Sequence, residues 1–177
     1  MLSSDINELV KISLIGFPAV GKTTILKLLT ENMIDRFYLP TQGFDLKTVK
    51  FGQFTIRVWD FGGQKSYLNY LEEYLKGSDL IFIITDSTPR NVINSRTLID
   101  YSNNIIDNEC PIIAIANKQD LCNSDGRLEQ TKVKDILQVK TYGLTAVSSS
   151  ERLKLMNIIE KELNQVLIRK RFKKNEI

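Results

Sequence analysis

The stretch Gly16-Phe17-Pro18-Ala19-Val20-Gly21-Lys22-Thr23 fits the pattern G-x-x-x-x-G-K-[ST] at every position. It follows a short β-rich run, residues 11–15 (KISLI). It precedes a helical pattern over residues 23–30, with Ile25, Leu26, Leu28 and Leu29 apolar. A strand leading through a glycine loop into a helix is the context this pattern requires. Glycines let successive backbone N–H groups curl around an anion, and the helix N-terminus adds the positive end of its dipole. Lys22 then reaches the β- and γ-phosphates, and the Thr23 hydroxyl ligates Mg²⁺. The candidate nucleotide-binding residues here are Pro18, Ala19, Val20, Gly21, Lys22, Thr23 and Thr24. Alone, the loop points to a nucleoside triphosphate and is silent on the base.

Working outward, residues 44–50 and 53–60 alternate apolar and polar positions, and Phe51-Gly52 reads as the tight turn of an antiparallel hairpin. Residues 41–43 read as a loop. The runs 80–85 (LIFIIT) and 111–116 (PIIAIA) are continuously apolar, as suits parallel strands buried on both faces. Helical spacing covers residues 91–106, 128–137 and 151–169, the last with Leu155, Ile159, Leu163, Val166 and Leu167 as its stripe; residues 141–147 read as a final strand. Strands alternating with helices predict an α/β domain with a mostly parallel sheet.

Asn117-Lys118-Gln119-Asp120 directly follows the second apolar run. Ligands of open α/β sheets bind beyond the carboxyl ends of the strands. An ionised Asp only accepts hydrogen bonds. Guanine offers a ring N–H and an exocyclic amine side by side, which the Asp120 carboxylate takes as a pair; adenine offers an acceptor and no donor there. A site built on such bonds rejects an analogue lacking the partner by roughly 10⁴-fold or more. Lys118 can lay its aliphatic stem along the base. Four polar residues after a strand usually make an ordinary loop; about a hundred residues downstream of a phosphate loop they read as a base selector. In Thr145-Ala146-Val147, Ala146 and Val147 are weaker candidates for giving a backbone N–H to the guanine oxygen.

Trp59-Asp60-Phe61-Gly62-Gly63-Gln64 closes the second hairpin strand. Asp60 at a strand end suits a carboxylate that holds Mg²⁺ through water. The Gly63 N–H can approach the γ-phosphate, and Gln64 can orient an attacking water. A glutamine suffices because this reaction depends on positioning and charge stabilisation more than on proton abstraction. Thr41 is placed to give Mg²⁺ a second hydroxyl. The candidate catalytic residues are thus Gln64, Lys22 and Thr41, and the candidate metal ligands Thr23, Thr41 and, through water, Asp60.

Composition narrows the chemistry further. A chain of 177 residues suits one domain. It contains no histidine, so Ser-His-Asp triads, Cys-His dyads and histidine-held zinc or iron are excluded. Cys110 and Cys122 form no C-x-x-C pair and read as reduced thiols. No apolar run approaches the ~20 residues that span a bilayer, and no signal peptide is seen. A cytoplasmic protein is expected. The net charge of +3 is uneven: Arg169, Lys170, Arg171, Lys173 and Lys174 against Glu176 make the tail +4, which leaves the rest at −1. A near-neutral body argues against nucleic acid as a partner.

GFPAVGKTT, PTQGFD, WDFGGQ, NKQD and TAV, in that order, resemble the small GTPases. PTxGF, WDxGGQ and NKQD together with GKTT are similar to the Arf/Arl/Sar branch, from about Lys11 to Leu167. The resemblance implies a P-loop NTPase small G domain. Its six-stranded, mostly parallel sheet would have one antiparallel edge hairpin and helices on both faces. It implies GTP/GDP and Mg²⁺ as ligands, slow hydrolysis to GDP, and a molecular switch. Switch I would hold Thr41, switch II would run over residues 62–74, and the hairpin between them would shift register. Phe44, Trp59 and Tyr74 match the aromatic trio of the family's effector surface. Effectors, an exchange factor and a GTPase-activating protein would be its partners, in membrane trafficking, and the chain would be a monomer. The expected division is an N-terminal extension (1–10), the GTPase domain (11–168) and a basic tail (169–177).

The chain departs from the Arf pattern at Pro18, usually Asp, where proline removes a backbone donor and fixes φ. Gln42 replaces the usual Ile after the switch I threonine. These two departures motivate an alternative, a constitutively GTP-bound adaptor with little hydrolysis. A P-loop kinase or ATPase is opposed by Asp120. Leu2 excludes N-myristoylation by the usual signal. Peripheral contact with an anionic membrane would fall to the N-terminal stripe Leu2, Ile6, Leu9 and Val10 or to the basic tail.

Overall fold

The computed structural model describes residues 10–30, 37–41, 44–51, 54–60, 68–106 and 110–174. Its elements are β1 (Val10–Ile15), α1 (Lys22–Thr30), β2 (Phe37–Thr41), β3 (Phe44–Phe51), β4 (Phe54–Asp60), α2 (Leu68–Leu75), β5 (Leu80–Thr85), α3 (Pro89–Ile105), β6 (Ile112–Ala116), α4 (Gln130–Leu137), β7 (Thr141–Gly143) and α5 (Arg152–Lys174). One sheet has the order β2-β3-β4-β1-β5-β6-β7. The five strands from β4 to β7 in that order are parallel. β3 runs antiparallel to β4, and β2 antiparallel to β3.

The sheet therefore has seven strands where six were expected. The extra one is β2, whose last residue, Thr41, pairs with Phe44 instead of lying in a loop. β2 contains Pro40, which has no N–H for a ladder, and the edge position tolerates it. Phe51 ends β3 and pairs with Phe54. Gln42 and the expected turn residue Gly52 lie outside the described residues.

β5 shows why the apolar runs form central strands. Leu80, Phe82 and Ile84 join one buried cluster, with α1 residues Ile25, Leu26 and Leu29 and α5 residues Leu155, Ile159 and Leu163. Ile81 and Ile83 join the other, with Leu71 and Leu75 of α2, Val92 and Leu98 of α3, and Val133 and Leu137 of α4. A strand covered on both faces has no solvent side, so it carries no polar alternation.

α5 extends to Lys174, beyond the expected end at residue 169. On its buried side the Glu162 carboxylate receives Lys140 Nζ at 2.5 Å and the Tyr142 hydroxyl at 2.5 Å. That contact raises the Lys140 pKa, and burial raises that of Tyr142. At the edge where the parallel strands begin, one carboxylate joins distant segments. Asp79 Oδ2 accepts the Lys11 N–H at 2.8 Å, and Asp79 Oδ1 meets Lys170 Nζ at 2.5 Å. Among the described residues, no helix is long and apolar enough to cross a membrane.

Candidate functional site

The site is built at the opposite edge, where the parallel strands end. β1 runs out at Ile15, and α1 starts seven residues later at Lys22. In the loop between them Ala19 and Gly21 adopt positive φ, 63° and 103°. A Cβ at Gly21 would overlap the Asn117 side-chain amide, and one at Gly16 would overlap the Ile84 carbonyl. Both glycines of the pattern are thus required by close approach, and Gly21 by its backbone conformation as well. Lys22 is 3% exposed, and its Nζ donates to the Gly16 and Phe17 carbonyls, each at 2.8 Å. Thr23 and Thr24 are half-buried in the first turn of α1. A buried ammonium beside a helix N-terminus and a tightly curled loop makes a positive concavity that suits phosphate.

The base-selector motif leaves β6 and folds back over this loop. Asn117 is 2% exposed. Its Nδ2 donates to the Val20 carbonyl at 2.9 Å, and its Oδ1 accepts the Ala146 N–H at 3.0 Å. Lys118 sits at φ 62° and donates from Nζ to the Ala19 carbonyl at 2.8 Å. Asp120 is exposed in the 3₁₀ turn Gln119–Leu121. Asn117 therefore ties together three segments that are far apart in sequence: the phosphate loop, the end of β6, and the stretch after β7. The strand expected over residues 141–147 is shorter, because β7 ends at Gly143. Leaving the ladder brings the Ala146 N–H to Asn117, while Val147 projects at 78% exposure.

The γ-phosphate candidates are placed less closely. β1 and β4 pair in parallel with Leu14 opposite Val58, so the backbone of Asp60 lies level with Gly16, the first residue of the loop. Asp60 and Thr23 would supply oxygen donors only, the kind that suits Mg²⁺. Thr41 stands at the same edge of the sheet but in the outermost strand. Three strand spacings put its backbone roughly 14 Å from β1. Gly63 and Gln64 lie outside the described residues. Of the aromatic trio, Phe44 begins β3 and Trp59 is the penultimate residue of β4. Tyr74 is 4% exposed and packs in the cluster with Leu71, Leu75 and Ile81, so it presents almost no surface in this arrangement. Burial pushes its phenol pKa upward.

Two participants went unread in the sequence. Ser87, at φ 66° in the turn after β5, donates from Oγ to the Asn117 carbonyl at 2.6 Å. Gln119, the variable position of the motif, donates to Ser87 Oγ at 2.9 Å and to the Leu128 carbonyl at 3.1 Å. The only local signal was the amide at the motif's third position, a side chain that both donates and accepts.

A family model described as the ADP-ribosylation factor family matches residues 2–173. ADP-ribosylation factor-like protein 3 of Caenorhabditis elegans is 32% identical over 147 residues, which is 79% of this chain and 78% of that protein. ADP-ribosylation factor-like protein 2 of Drosophila melanogaster is 31% identical over 160 residues, 83% of each chain. ADP-ribosylation factor-like protein 3 of Chlamydomonas reinhardtii is 31% identical over 160 residues, 88% of this chain and 90% of that one.

Proposed function

Because the chain belongs to the ADP-ribosylation factor family, we propose that this Arf-like small GTPase binds GTP and GDP at the edge just described and slowly hydrolyses GTP. The observation that carries the reading is Asn117, which locks the phosphate loop to the base-selector loop through Val20 and Ala146. A site that must hold a base and a phosphate chain at a fixed separation needs such a brace.

Lys22 turns from the loop carbonyls to the β- and γ-phosphates, and the loop N–H groups and the start of α1 hold the remaining oxygens. Asp120 takes the two guanine donors, and Lys118 covers one face of the base. The Ala146 N–H is engaged by Asn117, so the Val147 N–H is the better donor to the guanine oxygen. Thr23 and Asp60, the latter through water, would hold Mg²⁺, which would supply neutralisation of phosphate charge. Thr41 joins them only after leaving β2, which makes β2 the GDP-side arrangement of a switch. The Gly63 N–H meets the γ-phosphate, and Gln64 orients the attacking water. Phe44 and Trp59 form the effector surface, and Tyr74 joins it if α2 moves. Regulators of exchange and hydrolysis act on these same segments. The end of α5, with Ile168 and Phe172 exposed at 52% and 68% among its basic residues, is the membrane-facing part.

The test is nucleotide identification in the purified chain, followed by single-turnover GTP hydrolysis for wild type and Gln64→Leu. Bound GDP, with hydrolysis slowed at least tenfold in the variant, supports the reading. Bound adenine nucleotide would overturn it, and equal hydrolysis rates would remove Gln64 from the mechanism.

A further inference from the structure

The side chain of Gln119 spends three hydrogen bonds inside the protein. Nε2 donates to Ser87 Oγ at 2.9 Å and to the Leu128 carbonyl at 3.1 Å, while Oε1 accepts the Gln130 N–H at 2.9 Å. Gln130 is the first residue of α4, whose cap, Glu129, makes no side-chain capping bond. Gln119 thus supplies the acceptor that the start of α4 otherwise lacks. The bonds also form a relay. Gln119 donates to Ser87 Oγ, which donates in turn to the Asn117 carbonyl at 2.6 Å. Chained bonds of this kind polarise and stiffen one another. The backbone completes the enclosure: the Gln119 N–H donates to the Leu144 carbonyl at 3.2 Å, and the Leu128 N–H donates to the Ser87 carbonyl at 2.7 Å. Gly143 lies flat against the group, where an added Cβ would stand 3.3 Å from Gln119 Cγ and 3.0 Å from Gln130 Oε1.

Gln119 sits between Lys118, held in the left-handed region at φ 62°, and Asp120. Its two neighbours are the residues proposed above to meet the base, and both are carried by a backbone that the Gln119 side chain ties to Ser87, Leu128 and the start of α4. Reading two adjacent guanine donors with one carboxylate requires that the carboxylate be held in orientation as well as in position. Asp120 is exposed, and among the described residues no hydrogen bond or ion pair holds its carboxylate. Its direction therefore follows from the turn that carries it.

We propose that Gln119 and Ser87 form a clasp that orients Asp120, and thereby sets how strictly the site distinguishes guanine from a base lacking the exocyclic amine. Gln119 is a positioning residue and does not touch the nucleotide. The inference rests on the base-binding role given above to Asp120.

The experiment uses the full chain and fluorescent GDP and IDP, whose hypoxanthine base keeps the ring N–H but lacks the amine. Dissociation rates of both are compared in wild type, Gln119→Met and Ser87→Gly. Methionine keeps the length and removes the bonds, and glycine suits φ 66° while removing the hydroxyl. GDP release is expected to quicken about tenfold in each single variant, and the ratio of IDP to GDP release rates is expected to fall by a similar factor. The double variant should differ little from either single one, because both break the same relay. A loss of general stability would speed both nucleotides alike. A ratio kept at the wild-type value in both variants therefore overturns the clasp, whatever the absolute rates. If Gln119→Met does not fold, Ser87→Gly alone decides. A wild type that releases GDP and IDP equally would instead overturn the guanine reading of Asp120 itself, a distinct failure.

Discussion

Asn117 and Thr41 stand at the same edge of one sheet, and they are held in contrasting ways. Asn117 is fixed by its side-chain amide to the phosphate loop and the stretch after β7, and through its carbonyl to Ser87 in the turn after β5, partners up to 97 residues from it. Thr41 is held by the backbone ladder of β2 and β3. A side-chain brace of the first kind has one geometry, and any slip breaks it. A ladder repeats every two residues, so a two-residue slip restores the same bonds and the same faces. The side proposed to hold the base is therefore suited to constancy and the hairpin side to change, the division of labour that the proposed switch requires.

That contrast breaks first at Asp120. Asp120→Asn should lower GDP affinity by roughly 10²–10⁴-fold and admit xanthine nucleotide, whose carbonyl matches the amide donor. Competition binding checks this, and unchanged guanine preference would sink the base-side account. The next effect separates the two sides. Thr41→Val should lower affinity for GTP by roughly 10–100-fold while leaving GDP within about twofold, because only the GTP state recruits the hydroxyl. Equal losses for both nucleotides would mean that Thr41 already serves the GDP site. Gly21→Ala tests the brace sterically, since φ is +103° and the new Cβ meets Asn117. A cost of about 1–3 kcal/mol is expected, read as a melting temperature lower by several degrees.

The smallest effect lies at the far edge. Burial, and then repulsion from Arg57, bring the Lys11 ammonium from the ordinary 10.5 down to about 8. Between these values the unfolded chain binds more protons than the folded one, so this group makes stability rise with pH. The raised Tyr74 pKa works the other way, above pH 10. Urea titrations at pH 7.5 and 9.5 should show wild type gaining stability relative to Lys11→Met, and parallel pH slopes would contradict this.

The central strands were legible because burial on both faces writes itself as a continuous apolar run, as in LIFIIT. β2 was not, because an edge strand containing Pro40 carries neither a continuous run nor clean alternation. Residues 16–23 and 117–120 stand out in the sequence because their spacing is local, and the structure brings Asn117 and Lys118 against the loop at Val20 and Ala19. The contact of Ser87 with Gln119 does not stand out, because it acts across 32 residues of chain, and nothing in either local sequence announces the other. Tyr74 shows the converse: a resemblance marked it as surface, while its helix turns it into the core.

Asp79 carries one last consequence. Its two oxygens hold the start of β1 and the final turns of α5, so the two ends of the folded domain emerge side by side at the pole away from the phosphate loop. A short linker could join them and new ends could be opened elsewhere, as circular permutation requires. Equally, a surface that grips the molecule at this pole leaves the edge carrying Asn117 and Lys22 facing outward.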